Sequence, residues 1–121
     1  MFLSAASNSE WFADVRLVNG SNSREGRVEI YYRGEWGTVC DDNWGQLEAN
    51  VVCRQLGYIM STTKAIAKQK AFYGRGSGKI WLDEMHCVGT EPLLGRCESP
   101  AFGSHDCNHG EDAGVICEGT C

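Results

Sequence analysis

Arg27-Val28-Glu29-Ile30-Tyr31-Tyr32-Arg33-Gly34-Glu35-Trp36-Gly37-Thr38-Val39-Cys40 is the stretch that decides how this chain folds. Val28, Ile30 and Tyr32 alternate with Arg27, Glu29 and Tyr31, the two-residue period of a strand whose successive side chains face opposite ways. Arg33-Gly34-Glu35 turns the chain, and Trp36 to Cys40 returns as a second strand, so the stretch reads as a β-hairpin. Upstream, Val15 to Val18 alternates and ends at Asn19-Gly20, a short strand and a turn. Residues 1–13 read as a leader or as residues appended to the domain; they are too short and lack the basic start of a signal peptide.

Downstream the period changes. Ala49, Val52, Cys53 and Leu56 fall at i, i+3, i+4 and i+7, which predicts a helix over residues 47–56. Glu48 sits in its first turn, where the helix dipole favours a carboxylate, and Gly57 is the expected stop. The N-cap is poor, because Gly45 or Gln46 must serve. Lys64 to Phe72 suits a helix or an edge strand equally. Gly74, Gly76 and Gly78 mark a loop, and Ile80 to Asp83 reads as a buried strand ending on acids. Pro92-Leu93-Leu94 reads as one helical turn and Ala113 to Cys117 as a final strand. The class is α+β: a small, mainly antiparallel sheet packed on one helix.

Seven cysteines in 121 residues place the chain in an oxidising, extracellular compartment, either secreted or in the ectodomain of a membrane-anchored protein. Six can form three bridges, leaving Cys121 as the obvious odd one. No apolar run is long enough to cross a bilayer. Asn19-Gly20-Ser21 is a glycosylation sequon, which fits this compartment. The net charge of −5 is segregated: residues 49–82 carry six bases and no acid, while residues 83–121 carry eight acids and one base. Such segregation predicts opposed surface patches and, with a pI near 5.1, argues against a dedicated nucleic-acid partner.

Gly26 to Ile30, Gly34 to Trp44, Val51 to Tyr58, Gly76 to Glu84 and Glu111 to Cys117 form five blocks along the chain. In that order they resemble the scavenger receptor cysteine-rich domain, six-cysteine group A. The resemblance implies one domain over residues 14–118, a tail at 119–121, and a curved sheet cradling one α-helix. It also implies the disulfides Cys40–Cys107, Cys53–Cys117 and Cys87–Cys97, which the sequence itself does not select among 15 connectivities.

If Cys40 and Cys107 are bonded, Asp42 and Asp106 come into one neighbourhood, with Glu111 in the same loop. Carboxylates so gathered repel one another, and a hard divalent cation relieves the strain. The resemblance implies two calcium sites: Asp41, Asp42 and Glu111 in the first, and Asp42 (shared), Asp83 and Asp106 in the second. Where Asp106 stands, most compared members carry asparagine. A solvated acidic face without a metal is the bland alternative. The bases Lys64, Lys68, Lys70, Arg75 and Lys79 form a candidate polyanion-binding patch, with a solubilising surface as the alternative. Trp36, Trp44, Trp81, Tyr58 and Phe72 read as core rather than as a binding platform. His86, His105 and His109 flank cysteines, but those cysteines are better used as disulfides than as zinc ligands. Ser104-His105-Asp106 are chain neighbours, which is no evidence for a triad. The chain is therefore expected not to be an enzyme, though relatives of this kind occur attached to proteases and lysyl-oxidase-like enzymes. The expected function is a ligand-binding module of a larger protein, taking calcium and polyanionic or protein ligands, with no insertion into a membrane. The competing expectation is a positioning module without its own ligand.

Overall fold

The computed structural model describes residues 14–58 and 65–117. The expected leader, Lys64, the 119–121 tail and Cys121 lie outside the described residues. Among the described residues, six strands and one helix follow in the order β1 (Asp14–Asn19), β2 (Glu25–Tyr32), β3 (Glu35–Val39), α1 (Gln46–Gln55), β4 (Ala65–Lys68), β5 (Lys79–Leu82) and β6 (Gly114–Cys117). Single 3-10 turns stand at Leu94–Arg96 and His109–Glu111.

The opening hairpin is the centre of the sheet. β1 runs antiparallel along one side of β2 from Asn19↔Gly26 to Asp14↔Tyr31. The other side of β2 changes partner midway: Glu25 to Arg27 pair with β6, and Glu29 to Tyr32 pair with β3. That handover curves the sheet, with β4 outside β6 at one edge and β5 outside β3 at the other. The β3–β5 pairing is parallel; the others are antiparallel. Lys64 to Phe72, legible as either element, contains a four-residue strand followed by a turn.

Alternation in β2 sends Val28, Ile30 and Tyr32 into the core with Val39, Leu82, Val115 and the helix residues Ala49, Val52 and Cys53. The opposite face of β2 is covered as well: Arg27 and Glu29 are buried. Trp44 and Trp81 belong to the core, as expected. Trp81 brings the Cδ1–Nε1 edge of its indole against β3, with Nε1 donating to Glu35 O at 3.0 Å, because position 37 is glycine; a Cβ there would clash with that edge. Phe72 departs from the core expectation at 61% exposure, because its stretch leaves the sheet in a turn. Its ring instead carries the Lys68 ammonium at 4.4 Å.

The helix begins one residue earlier than the period predicted. Gly45 is its N-cap and offers no side-chain acceptor, but Glu48 at N3 supplies the reciprocal half of a capping box: its Oε1 accepts from the Gly45 N–H at 3.0 Å. Glu48 Oε2 accepts from the Cys87 N–H at 2.9 Å, so this carboxylate is buried and structural. At the other end the Gly57 N–H reaches Arg54 O at 2.9 Å and the Tyr58 N–H reaches Cys53 O at 3.0 Å. With Gly57 at φ +96°, this is the paired C-terminal closure that needs a left-handed residue.

All three expected disulfides are present. Cys53–Cys117 ties the helix to β6 (Cα–Cα 5.5 Å), Cys40–Cys107 ties the end of β3 to the 103–111 segment (6.3 Å), and Cys87–Cys97 closes a short loop (4.7 Å).

Candidate metal centre

Three pieces of backbone carry the acidic cluster. β3 ends at Val39, and Asp41 and Asp42 follow through a turn closed by the Trp44 N–H on Asp41 O (3.0 Å). Beside it β5 ends at Leu82, whose carbonyl accepts from the Cys40 N–H at 2.8 Å, so Asp83 emerges alongside Asp42. The third piece is the 106–112 segment, joined by the Cys40–Cys107 bond and by the Asp41 N–H on Glu111 O at 2.8 Å.

The result is two overlapping groups. Asp41, Asp42 and Glu111 each place one carboxylate oxygen within 4.8 Å of the others, next to Cys40. Asp42 and Asp83 do the same on the other side, next to Cys40 and Cys107. The disulfide sulfurs have no proton to give and serve as the wall between them; Cys107 Sγ lies 3.7 Å from Asp42 Oδ2 and 3.7 Å from Asp106 Oδ1. Asp106 stands at the rim, exposed and outside the tight group, because the disulfide fixes its backbone while its side chain turns to solvent.

The partners of these carboxylates are uneven. Asp41 Oδ2 accepts from the Lys70 N–H at 2.7 Å and Glu111 Oε1 from the Asn108 N–H at 3.0 Å, leaving each a second oxygen. Asp83 is only 4% exposed, and its Oδ1 is buried with no hydrogen-bond partner. Burial, then the neighbouring Asp83 charge, raises the Asp42 pKa above its ordinary value, with Asp106 and Glu111 adding to the effect. Burial also raises Asp83, partly offset by hydrogen bonds from the Glu84 backbone and Asp42. Left-handed, non-glycine backbone surrounds the cluster at Asn43 (φ 64°), Lys70 (59°) and Glu84 (50°). Each such residue costs on the order of 1 kcal/mol, and strain concentrated at one place is a mark of function.

The candidate basic residues do not gather side by side. Lys68 ends β4 at one edge of the sheet and Lys79 begins β5 at the other. Lys70 and Arg75 lie on the connection between them. Arg75 and Lys79 share the lining of one cavity. Asn19 is exposed at the end of β1, with its Nδ2 donating to Tyr73 O at 3.2 Å.

Sequence reasoning missed Asp112, which is fully buried and organises the same region. Its Oδ2 accepts from the Gly76 N–H at 2.7 Å and meets His109 Nδ1 at 3.0 Å, while His109 Nε2 meets Gly78 O at 3.0 Å. One signal was available nearby. Asn108-x-x-Glu111 is a capping box, with Asn108 Oδ1 accepting from the Gly110 N–H at 2.7 Å.

Comparison with known proteins is concordant. The family model for the scavenger receptor cysteine-rich domain matches residues 18–118. The chain is 54% identical over 104 residues to galectin-3-binding protein of Mesocricetus auratus, covering 86% of this chain and 18% of that protein. It is 49% identical over 106 residues to human CD5 antigen-like, covering 88% of this chain and 30% of that protein. The chain thus spans under a third of either relative. Among solved structures it resembles the third SRCR domain of murine neurotrypsin, with TM-score 0.79 and 48% identity, covering 87% of this chain and 95% of that one. It also resembles the SRCR domain of mouse MARCO in a dimeric form, with TM-score 0.71 and 48% identity, covering 86% and 94%.

Proposed function

This chain belongs to the scavenger receptor cysteine-rich family, an extracellular class of ligand-binding modules, and on that premise we propose that it is a calcium-dependent binding domain. Asp41, Asp42 and Glu111 hold one ion; Asp42, Asp83 and the rim residue Asp106 hold a second. The observation that carries the reading is the Oδ1 of Asp83, a buried carboxylate oxygen with no partner beside a second carboxylate whose proton affinity is already raised. Burying an unpaired charge costs several kcal/mol, so such an oxygen persists where a cation completes it.

The donors are all oxygen, the set a hard cation prefers. Three side chains for each ion fall short of calcium's six to eight ligands, so backbone carbonyls and water complete the shell. When bound, the ion supplies exchangeable positions that accept an anionic oxygen from a ligand. The protein's part is to hold the carboxylates rigidly and keep one edge open, which the disulfide and the Asp41–Glu111 backbone bond do. The ligand class is a polyanion or an acidic protein surface, and other domains of the parent chain contribute avidity.

Calorimetric titration of the domain with calcium tests this. The expected Kd is about 10⁻⁴–10⁻³ M, the range of open extracellular sites. Asp83→Asn is expected to weaken binding more than about tenfold, the effect of losing one charged ligand. No heat with the wild type, or an unchanged isotherm for Asp83→Asn and Asp42→Asn alike, sinks the proposal.

A further inference from the structure

On the far side of the Cys40–Cys107 bond from the acids lies a cavity of about 390 Å³. Arg75, Lys79, Trp81, His105, Asn108 and His109 line it, and no carboxylate does. Arg75 and Lys79 meet no carboxylate within ion-pair distance among the described residues, whereas Arg16 and Arg27 are committed to Glu29. Lys79 Nζ stands 5.7 Å over the Trp81 ring, placing a cation beside an aromatic wall.

Both walls are fixed in advance. The 74–79 loop is pinned by the Gly76 N–H on Asp112 Oδ2, by Arg27 Nη1 on Gly74 O at 3.2 Å, and by His109 Nε2 against Gly78 O. The opposite wall is held by the disulfide and by the Cys107 N–H on His105 Nδ1 at 3.0 Å. Position 110 is glycine where Arg75 passes: a Cβ there would stand 2.7 Å from its Nη1. A preformed recess loses little entropy on binding, and its volume falls in the range of small-molecule sites.

We propose that this cavity binds a single sugar acid, with the carboxylate between Arg75 and Lys79 and its hydroxyls toward Asn108 and His105. The guanidinium fork matches a planar carboxylate, and the polar groups of Asn108 and His105 match the hydroxyls of a pyranose. This site is separate from the calcium centre and needs no metal.

The test is an NMR titration of the ¹⁵N-labelled domain in EDTA with the methyl glycosides of glucuronic acid and of N-acetylneuraminic acid. Methyl galactoside and galactose 6-sulfate serve as comparison ligands. Saturable shifts at Arg75, Lys79, Gly110 and the Trp81 indole N–H, with Kd on the order of 1 mM for at least one acid, are expected. Arg75→Gln and Lys79→Gln are each expected to weaken it about tenfold, and Lys68→Gln to leave it unchanged. Gly110→Ala, whose Cβ crowds both the Arg75 guanidinium and Asn108 Oδ1, should weaken binding while the amide spectrum stays folded. Absence of shifts with both acids, equal response to the neutral sugar, tighter binding of the sulfate, or full affinity in the Arg75→Gln, Lys79→Gln double variant overturns the proposal. Because the titration is run in EDTA, its outcome is independent of whether calcium binds.

Discussion

Two carboxylates in this domain are almost equally buried and are treated in opposite ways. Glu29, 6% exposed, receives Arg16 Nη2 at 2.7 Å on one oxygen and Arg27 Nε at 3.0 Å on the other. Arg27 is in turn spent on the carbonyls of Tyr73 and Gly74. In that ladder both oxygens of Glu29 are thereby matched by guanidinium donors. Asp83 has other acids for neighbours and an oxygen with no partner. The first arrangement spends charge on holding β1, β2 and the 73–77 loop together. The second keeps charge available at a cost in stability. A charge is therefore judged by what faces it, not by its burial.

The sharpest way to break the comparison is Glu29→Ala. It strands the buried guanidinium of Arg27, so a loss of about 3–5 kcal/mol is expected in chemical denaturation. A loss below about 1 kcal/mol would place the ladder with ordinary surface pairs. Next in size is the response to calcium. At 10 to 100 times Kd the ion should stabilise the wild type by about 1.4–2.7 kcal/mol, visible as a raised Tm, with a smaller gain in Asp83→Asn, which keeps the first site.

A smaller effect of opposite sign is expected without the ion. Asp42 and Asp83 have folded-state pKa values above their unfolded ones, so the folded state binds more protons between the two values. Calcium-free stability should fall as pH rises from the ordinary aspartate value of 3.8 through the raised folded values. Asp83→Asn should flatten that decline and raise the calcium-free Tm at neutral pH. A wild-type slope that survives the substitution would locate the titration elsewhere. The smallest change is Arg16→Ala. That side chain is 47% exposed, and its removal should cost no more than about 1 kcal/mol, part of it from the lost stacking on Trp36.

Local pattern made the hairpin, the helix and the stop at Gly57 legible, because each is set by residues within one or two turns of chain. Strand β4 was not, since four residues of mixed pattern become a strand only when β6 lies beside them. The cysteine pairing came through family likeness, and it drew Asp42, Asp106 and Glu111 into one neighbourhood; Asp41 and Asp83 joined them only through the family's calcium sites. Asp106 was placed by adjacency to Cys107, and adjacency fixes a backbone, not the direction of a side chain. The roles of Glu48, Glu29 and Asp112 were out of reach for a related reason. Each satisfies backbone or side-chain groups 13 to 39 residues away in sequence. Read one at a time, all three look like surface acids.

The Cys40–Cys107 bond has a role beyond joining two segments. Acid groups crowd one flank of it and the cavity of Arg75 and Lys79 opens on the other, with Cys107 touching both. It is a covalent seam between recesses of opposite sign. Reducing this one bond would release the disulfide tether on the loop that walls both recesses. The domain's ability to present paired, opposite charges is thus conditional on the oxidation state of its surroundings.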